Sequence, residues 1–233
     1  MQRSRTSDPA PAVVFDWDGT LRNGWTIEDW LDVVAKVLRD ASHHRDAFAD
    51  GAKRYRAGSM THDDLVALGQ RLYLDTLALM NHVERDEIEA EAALRGRSAL
   101  RPFSEHLVRQ LRFLDVRCFV ITGAPQSVVR DTARSVGLRS LDGLIAIEGC
   151  AGWRIVQNPG FRDQKRRLVK QLAEEHRIVA AFGDADSDWP LWDEADIPVI
   201  VSDEPIVAEG LVQLRGDGTG YEAVQQQLLR VLA

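Results

Sequence analysis

The stretch Ala12-Val13-Val14-Phe15-Asp16-Trp17-Asp18-Gly19-Thr20-Leu21 runs from four apolar residues straight into two aspartates and a glycine. A short apolar run bounded by turn-prone residues reads as a buried strand, so both acids stand at a strand's C-terminal end. Taken alone, Asp-x-Asp-Gly is commonly a turn or a helix cap. Its meaning depends on what the rest of the chain places around it.

Working outward, Val116 to Ile121, Ile178 to Phe182 and Ile197 to Val201 repeat the strand signal, and helical patterns separate them. Such alternation predicts a parallel α/β sheet. From Thr26 to about Leu114 no strand interrupts: Ile27, Trp30, Leu31, Val34 and Leu38 recur at helical spacing behind Thr26 as a cap. A second helix precedes Gly58, a third runs from Thr61-His62-Asp63-Asp64 through Leu65, Leu68 and Leu72, and a polar fourth spans Arg85 to Leu94. This segment is too long for one crossover connection. Residues 25–101 are therefore expected to form a helical subdomain, with 12–24 and 102–233 as the core and 1–11 as a loose tail. Pro102 suits a first helical turn leading through Phe103, Leu107 and Leu111. Leu144 to Val156, around Gly149-Cys150-Ala151-Gly152, reads as a small hairpin, and Tyr221 to Leu232 as a closing amphipathic helix.

Composition narrows the class. With 233 residues, 45% apolar and 28% charged, the chain is long enough for one good core and a modest second subdomain. A net charge of -7 and a pI near 5.4 argue against nucleic acid or anionic lipid as a partner. Two cysteines give no disulfide framework, which fits a reducing cytoplasm. Neither a signal-peptide stretch nor a membrane-length apolar run is read, so a cytoplasmic protein without membrane association is expected.

Ligands of open parallel sheets bind beyond the carboxyl ends of the strands, which draws attention to four polar clusters. Asp16-Trp17-Asp18-Gly19-Thr20-Leu21, Ile121-Thr122-Gly123, Lys165 at a helix head and Gly183-Asp184-Ala185-Asp186-Ser187-Asp188 occur in that order. Together they resemble the haloacid dehalogenase superfamily. The resemblance implies a Rossmann-like parallel-sheet core with a helical cap subdomain inserted after the first strand. It also implies a magnesium-dependent phosphatase that acts on a small phosphorylated metabolite through an aspartyl-phosphate. In that scheme Asp16 is the nucleophile and a metal ligand, Asp18 is general acid and base and offers its carbonyl to the metal, and Asp184 is a third ligand. Asp188 coordinates directly or orients metal-bound water. Thr122 and Gly123 hold phosphoryl oxygens, and Lys165 neutralises charge, with Lys170 as a weaker substitute. The physical logic stands apart from the resemblance: a carboxylate attacks a doubly anionic ester only where positive charge neutralises both. Oxygen-only ligands suit magnesium.

Bland readings compete with these. Asp184, Asp186 and Asp188 resemble a solvated loop or a calcium site, although no EF-hand glutamate and glycine follow in register. The histidines, His62 among them, make no zinc pattern and read as surface or packing residues. No Gly-x-Ser-x-Gly elbow is present. Trp17, Trp25, Trp30, Trp189 and Trp192 flank the motifs and read as core packing, or else as an aromatic wall selecting the leaving group. The helical insertion and Gly58-Ser59-Met60-Thr61 are similar to the phosphoserine phosphatase branch. That branch uses a glutamate where this chain has Trp25, and Leu65, Val66 and Ala67 stand where a carboxylate-binding arginine is sought, with Arg71 as a substitute. Trp25 is thus expected to bind substrate, favouring an apolar or quaternary-ammonium leaving group. A phosphomutase or phosphotransferase of the same superfamily, or a non-catalytic phosphate-binding protein, is the alternative.

Overall fold

The computed structural model describes residues 9–135, 143–146, 161–206 and 209–233. Its centre is β1 (Ala10–Phe15), which is flanked by β2 (Arg117–Thr122) and by β4 (His176–Gly183). The strand begins at Ala10, inside the stretch read as a tail, because Ala10 and Pro11 pair with His176 and Arg177. With β3 (Gly143–Ala146), β5 (Ile197–Ser202) and β6 (Val212–Arg215) the sheet has six strands in the order β3-β2-β1-β4-β5-β6, and every pair is parallel. The order reverses between β1 and β4, and a crevice opens at such a switch point beyond the strand ends.

Alternation along β1 explains why it sits in the middle. Val13 and Phe15 face one core with Val120, Phe182 and Val199, while Ala12 and Val14 face the other with Ile121, Ile178 and Ala181. Both faces are buried, as expected of a parallel strand. The first face is covered by α5 (Ser104–Phe113), α6 (Gln126–Ser135) and α9 (Tyr221–Leu232), and the second by α7 (Phe161–Glu175) and α8 (Trp189–Trp192). Gly143–Ala146 corrects the expected hairpin at its start. Leu144 and Ile145 pair in parallel with Val120 and Ile121 and extend the main sheet. Residues 147–156 of that expectation lie outside the described residues.

Between β1 and β2 the chain forms α1 (Thr26–Val37), α2 (Ser42–Arg56), α3 (His62–Leu77) and α4 (His82–Ser98). These helices bury a core of their own around Trp30, Leu31, Val34, Phe48, Tyr73 and Ile88. Trp30 resolves its polar end by donating its indole N–H to Thr76 Oγ1 at 2.9 Å. Thr61 and Asp64 form a reciprocal capping box that starts α3, as do Asn81 and Glu84 for α4. Thr26, expected to cap α1, is instead its first residue. Its amide and hydroxyl donate to Asp18 Oδ1 at 3.0 and 2.6 Å, so a carboxylate from the β1 loop serves as the anionic cap. The layer is anchored through α4 on α6, where Gly96 permits close approach to Thr132 and the Thr132 hydroxyl donates to Ala93 O at 3.2 Å. Among the described residues no helix is long and apolar enough to cross a membrane.

Candidate active site

Asp16 is the first residue beyond β1. Its amide donates to Phe182 O at 2.9 Å, which fixes it at the sheet's switch point. Its carboxylate accepts Lys165 Nζ at 2.8 Å, and the same ammonium reaches Asp188 Oδ1 at 2.5 Å. Lys165 comes from the start of α7 and is only 1% exposed. Lys170, further along α7, is exposed. Asp188 is buried, and its Oδ2 accepts the amides of Asp184 and Ala185 at 2.9 and 3.1 Å.

Two absent side chains make the cluster possible. A Cβ on Gly19 would lie 2.1 Å from Asp184 Oδ2, and Gly19 also has φ +83°, a region costly for other residues. A Cβ on Gly183 would lie 2.4 Å from the Asp188 Cβ. Thr20 completes the corner by donating its hydroxyl to Asp184 Oδ1 at 3.2 Å. Asp16, Asp184 and Asp188 consequently each present an oxygen within 4.8 Å of the others.

Burial and mutual repulsion set the charges of this cluster. Burial pushes the Asp16 carboxyl up to about 7 despite the downward pull of Lys165, with Asp188 adding to the rise. Burial, followed by Asp188 and Asp16, holds Asp184 well above the usual carboxylate range. Burial alone would lower Lys165, but Asp16 and Asp188 outweigh it and keep the ammonium charged. One lysine is shared among three carboxylates, and an all-oxygen donor set of this kind fits a hard divalent ion.

Asp18 faces the same space from the other side of the β1 loop. Burial raises its pKa against the opposing charge of Arg22 and the Thr26 hydrogen bonds. Arg22 is itself buried: Nη2 meets Asp29 at 2.8 Å, Nη1 donates to Thr26 Oγ1 at 3.1 Å, and Nε lies 3.8 Å from Asp18 Oδ1. Thr122 ends β2, and its hydroxyl oxygen accepts the Ala124 amide at 3.0 Å. Gly123 follows beneath the Phe161 ring, so close that a Cβ would lie 2.5 Å from that ring.

Above these groups the helices leave a partly open cavity. Asp16, Asp18, Thr122 and Gly123 line its floor, and Trp25, Ile27, Phe48, Leu65, Val66 and Tyr73 line its walls, with His62, Gln70 and Phe161. Of the tryptophans near the motifs only Trp25 lines this cavity. Trp17 and Trp30 are buried in the two cores, Trp192 donates to Val199 O at 3.1 Å, and Trp189 packs edge-on against Trp192. Arg71 is exposed and is not a lining residue.

Three residues were not singled out from the sequence. Arg22 and Arg101 carried no reading there, yet both are buried, and Arg101 donates from Nε and Nη2 to Gly19 O at 3.0 and 2.9 Å. The signal for Arg101 was its place at the helical segment's return, beside Pro102. His62, read as surface or packing, lines the cavity because the α3 capping box turns the helix start toward Phe161.

Residues 13–193 match the model of the haloacid dehalogenase-like hydrolase family, and the chain belongs to that family. Similar solved structures include a protein of unknown function from Bordetella pertussis Tohama I, 22% identical, covering 94% of this chain and 95% of that one with a TM-score of 0.63. A substrate-bound phosphoserine phosphatase complex is 15% identical over 95% of this chain and 99% of its own, also with a TM-score of 0.63. At these identities the likeness shows a shared fold. Among curated proteins, the probable copper-transporting ATPase PacS of Synechocystis sp. (strain ATCC 27184 / PCC 6803 / Kazusa) is 27% identical over 137 residues, which are 58% of this chain and 16% of that protein.

Proposed function

We propose that the chain is a magnesium-dependent phosphatase that hydrolyses the monoester of a small metabolite through a phosphoryl group carried on Asp16. One observation carries this reading. A strand-end carboxylate is held 2.8 Å from a buried lysine, inside a cluster of acids and at the floor of a cavity beneath the helical layer.

Asp16, Asp184 and Asp188 would hold the cation, with the Asp18 carbonyl as a further ligand. Bound there, it supplies the positive charge that lets a carboxylate approach a phosphate dianion. Lys165 adds charge from the opposite side and fixes the rotamer of Asp16, so the nucleophile needs no reorientation. Thr122 gives its hydroxyl proton to a phosphoryl oxygen while its own oxygen is occupied by the Ala124 amide, and the Gly123 amide binds a second oxygen. Asp18, with its pKa raised by burial, delivers a proton to the departing alkoxide. The resulting carboxylate, held by the Thr26 hydroxyl and amide, then takes a proton from the water that attacks phosphorus and releases phosphate from Asp16. Residues 25–101 act as a cap that excludes bulk water and meets the leaving group.

Phosphate release tests the reading, measured over sugar phosphates, phosphoamino acids, nucleotides and phospho-amines with magnesium and again in excess chelator. Turnover of at least one ester, lost in chelator and restored by magnesium, is expected. Full activity in chelator contradicts it.

A further inference from the structure

The cavity is chemically one-sided. Its acids, Asp16 and Asp18, lie at the reacting end, and the wall beyond them is mainly aliphatic and aromatic, with His62 and Gln70 as uncharged polar members. Among the described residues that line it there is no lysine, arginine or glutamate. Arg56 is exposed and sits 5.2 Å from the Trp25 ring centroid, outside the lining. A leaving group bearing an ammonium and a carboxylate would have to shed water from both without gaining an opposite charge.

Three residues, His62, Gln70 and Tyr73, bring polar groups to this wall. His62 packs its ring 5.6 Å from Tyr55 and 5.8 Å from Phe161, and its Nδ1 is buried without a hydrogen-bond partner among the described residues. Burial and the nearby Lys165 charge hold its pKa below the usual value, so the imidazole is neutral near pH 7. Buried polar atoms are nearly always satisfied, so this unpaired nitrogen, in a residue that lines the cavity, gains a partner from a ligand once the ring turns toward it.

We propose that this site takes phosphate monoesters of uncharged, apolar alcohols, and that His62 is a specificity-determining residue whose Nδ1 meets a single hydrogen-bonding group on the leaving group. Trp25, Tyr73 and Val66 supply contact area for a ring or branched hydrocarbon, and the neutral imidazole tolerates a hydroxyl or carbonyl where it would not satisfy a full charge. The proposal names the substrate class of the phosphatase reading and rests on it.

Binding separates the two. The magnesium-loaded protein is titrated calorimetrically with 2-phenylethylphosphonate and with 2-amino-4-phosphonobutyrate, which are non-hydrolysable analogues of benzyl phosphate and phosphoserine. The apolar analogue should bind at least about thirtyfold more tightly, the ratio expected when a desolvated charge lacks its partner. The two esters, whose alcohols are comparably poor leaving groups, should show the same order in kcat/KM. Equal or reversed affinities overturn the proposal even if both esters are hydrolysed. Preferential binding of the apolar phosphonate without hydrolysis of any ester supports the cavity's assignment and refutes the phosphatase reading. For His62, the tightest-binding of the three ring-hydroxylated phenylethylphosphonates is compared with its parent in His62→Phe, which keeps a ring between Tyr55 and Phe161. The advantage of the hydroxyl should shrink by about three- to tenfold, one hydrogen bond's share. An unchanged advantage removes His62 from this role.

Discussion

Replacing Arg101 with methionine should damage both the fold and the chemistry, because this side chain ties the β1 loop to the far end of the sheet. Its Nε and Nη2 donate to the Gly19 carbonyl at 3.0 and 2.9 Å, while Nη1 meets Asp203 Oδ1 at 2.8 Å. Asp203 is 61% exposed, so that ion pair is screened and contributes about 0 to 1 kcal/mol. The hydrogen bonds to Gly19 come from a charged, buried donor and are worth about 1.5 to 3 kcal/mol. Arg101→Met should therefore cost about 2 to 4 kcal/mol in urea melts, against at most about 1 for Asp203→Ala. The kinetic effect should be larger in kcat than in KM. Gly19 adjoins Asp18 and packs against Asp184, and a displacement of about 1 Å at reacting groups costs on the order of a hundredfold in rate. Arg101→Lys should fall between, since a single ammonium cannot span both acceptors in the same fork. Gly216→Ala offers an independent route, because its Cβ would lie 1.8 Å from Arg101 Nη1 and would push the guanidinium aside. If Arg101→Met keeps kcat within about threefold and its urea midpoint unchanged, the clamp has no functional meaning and this reasoning fails.

Further outcomes follow from the same geometry. Gly19→Ala should lower magnesium affinity and turnover together, since φ +83° and a Cβ 2.1 Å from Asp184 Oδ2 force that carboxylate to move; calorimetric magnesium titration reads it, and wild-type affinity would count against the placement of Asp184. Asp18→Asn should retain much activity on esters with very good leaving groups and lose most on poor ones, because only the latter need a proton; equal losses would remove Asp18 from the general-acid role. In chelator, the raised pKa values of Asp16 and Asp184 mean that the folded chain keeps protons the unfolded chain has released. Their contribution to stability is greatest below the ordinary aspartate pKa and is lost as pH rises through about 7 for Asp16. Thermal melts should therefore show a larger stabilisation by magnesium at pH 7.5 than at pH 5.5, and an equal shift at both would refute the coupling.

Much of this architecture was legible because it is local. Val13 and Phe15 alternate with Ala12 and Val14, the acids follow at once, and Thr61 with Asp64 announces a helix start, so short windows carry the information. The edge strands were harder. Gly143–Ala146 and Val212–Arg215 are short, and what makes them strands is a partner already in place rather than their own pattern. Thr26 was misread as a cap since no local rule reveals that Asp18, eight positions earlier, would accept its amide. Arg22 and Arg101 escaped notice for a related reason: an arginine's burial depends on carbonyls and carboxylates brought from elsewhere, as Gly19 and Asp203 are for Arg101. The gathering of Asp16, Lys165, Asp184 and Asp188 is likewise tertiary, and its expectation came from resemblance.

The central claim is that Asp16 carries the phosphoryl group, and rapid acid quench of the magnesium-loaded enzyme with a phosphorus-32-labelled ester that it hydrolyses tests it directly. The account predicts a protein-bound label that withstands acid, is released by hydroxylamine, maps to the peptide containing Asp16 and disappears in Asp16→Asn together with turnover. A label on another residue, or phosphate release by Asp16→Asn above about a tenth of the wild-type rate, would contradict it.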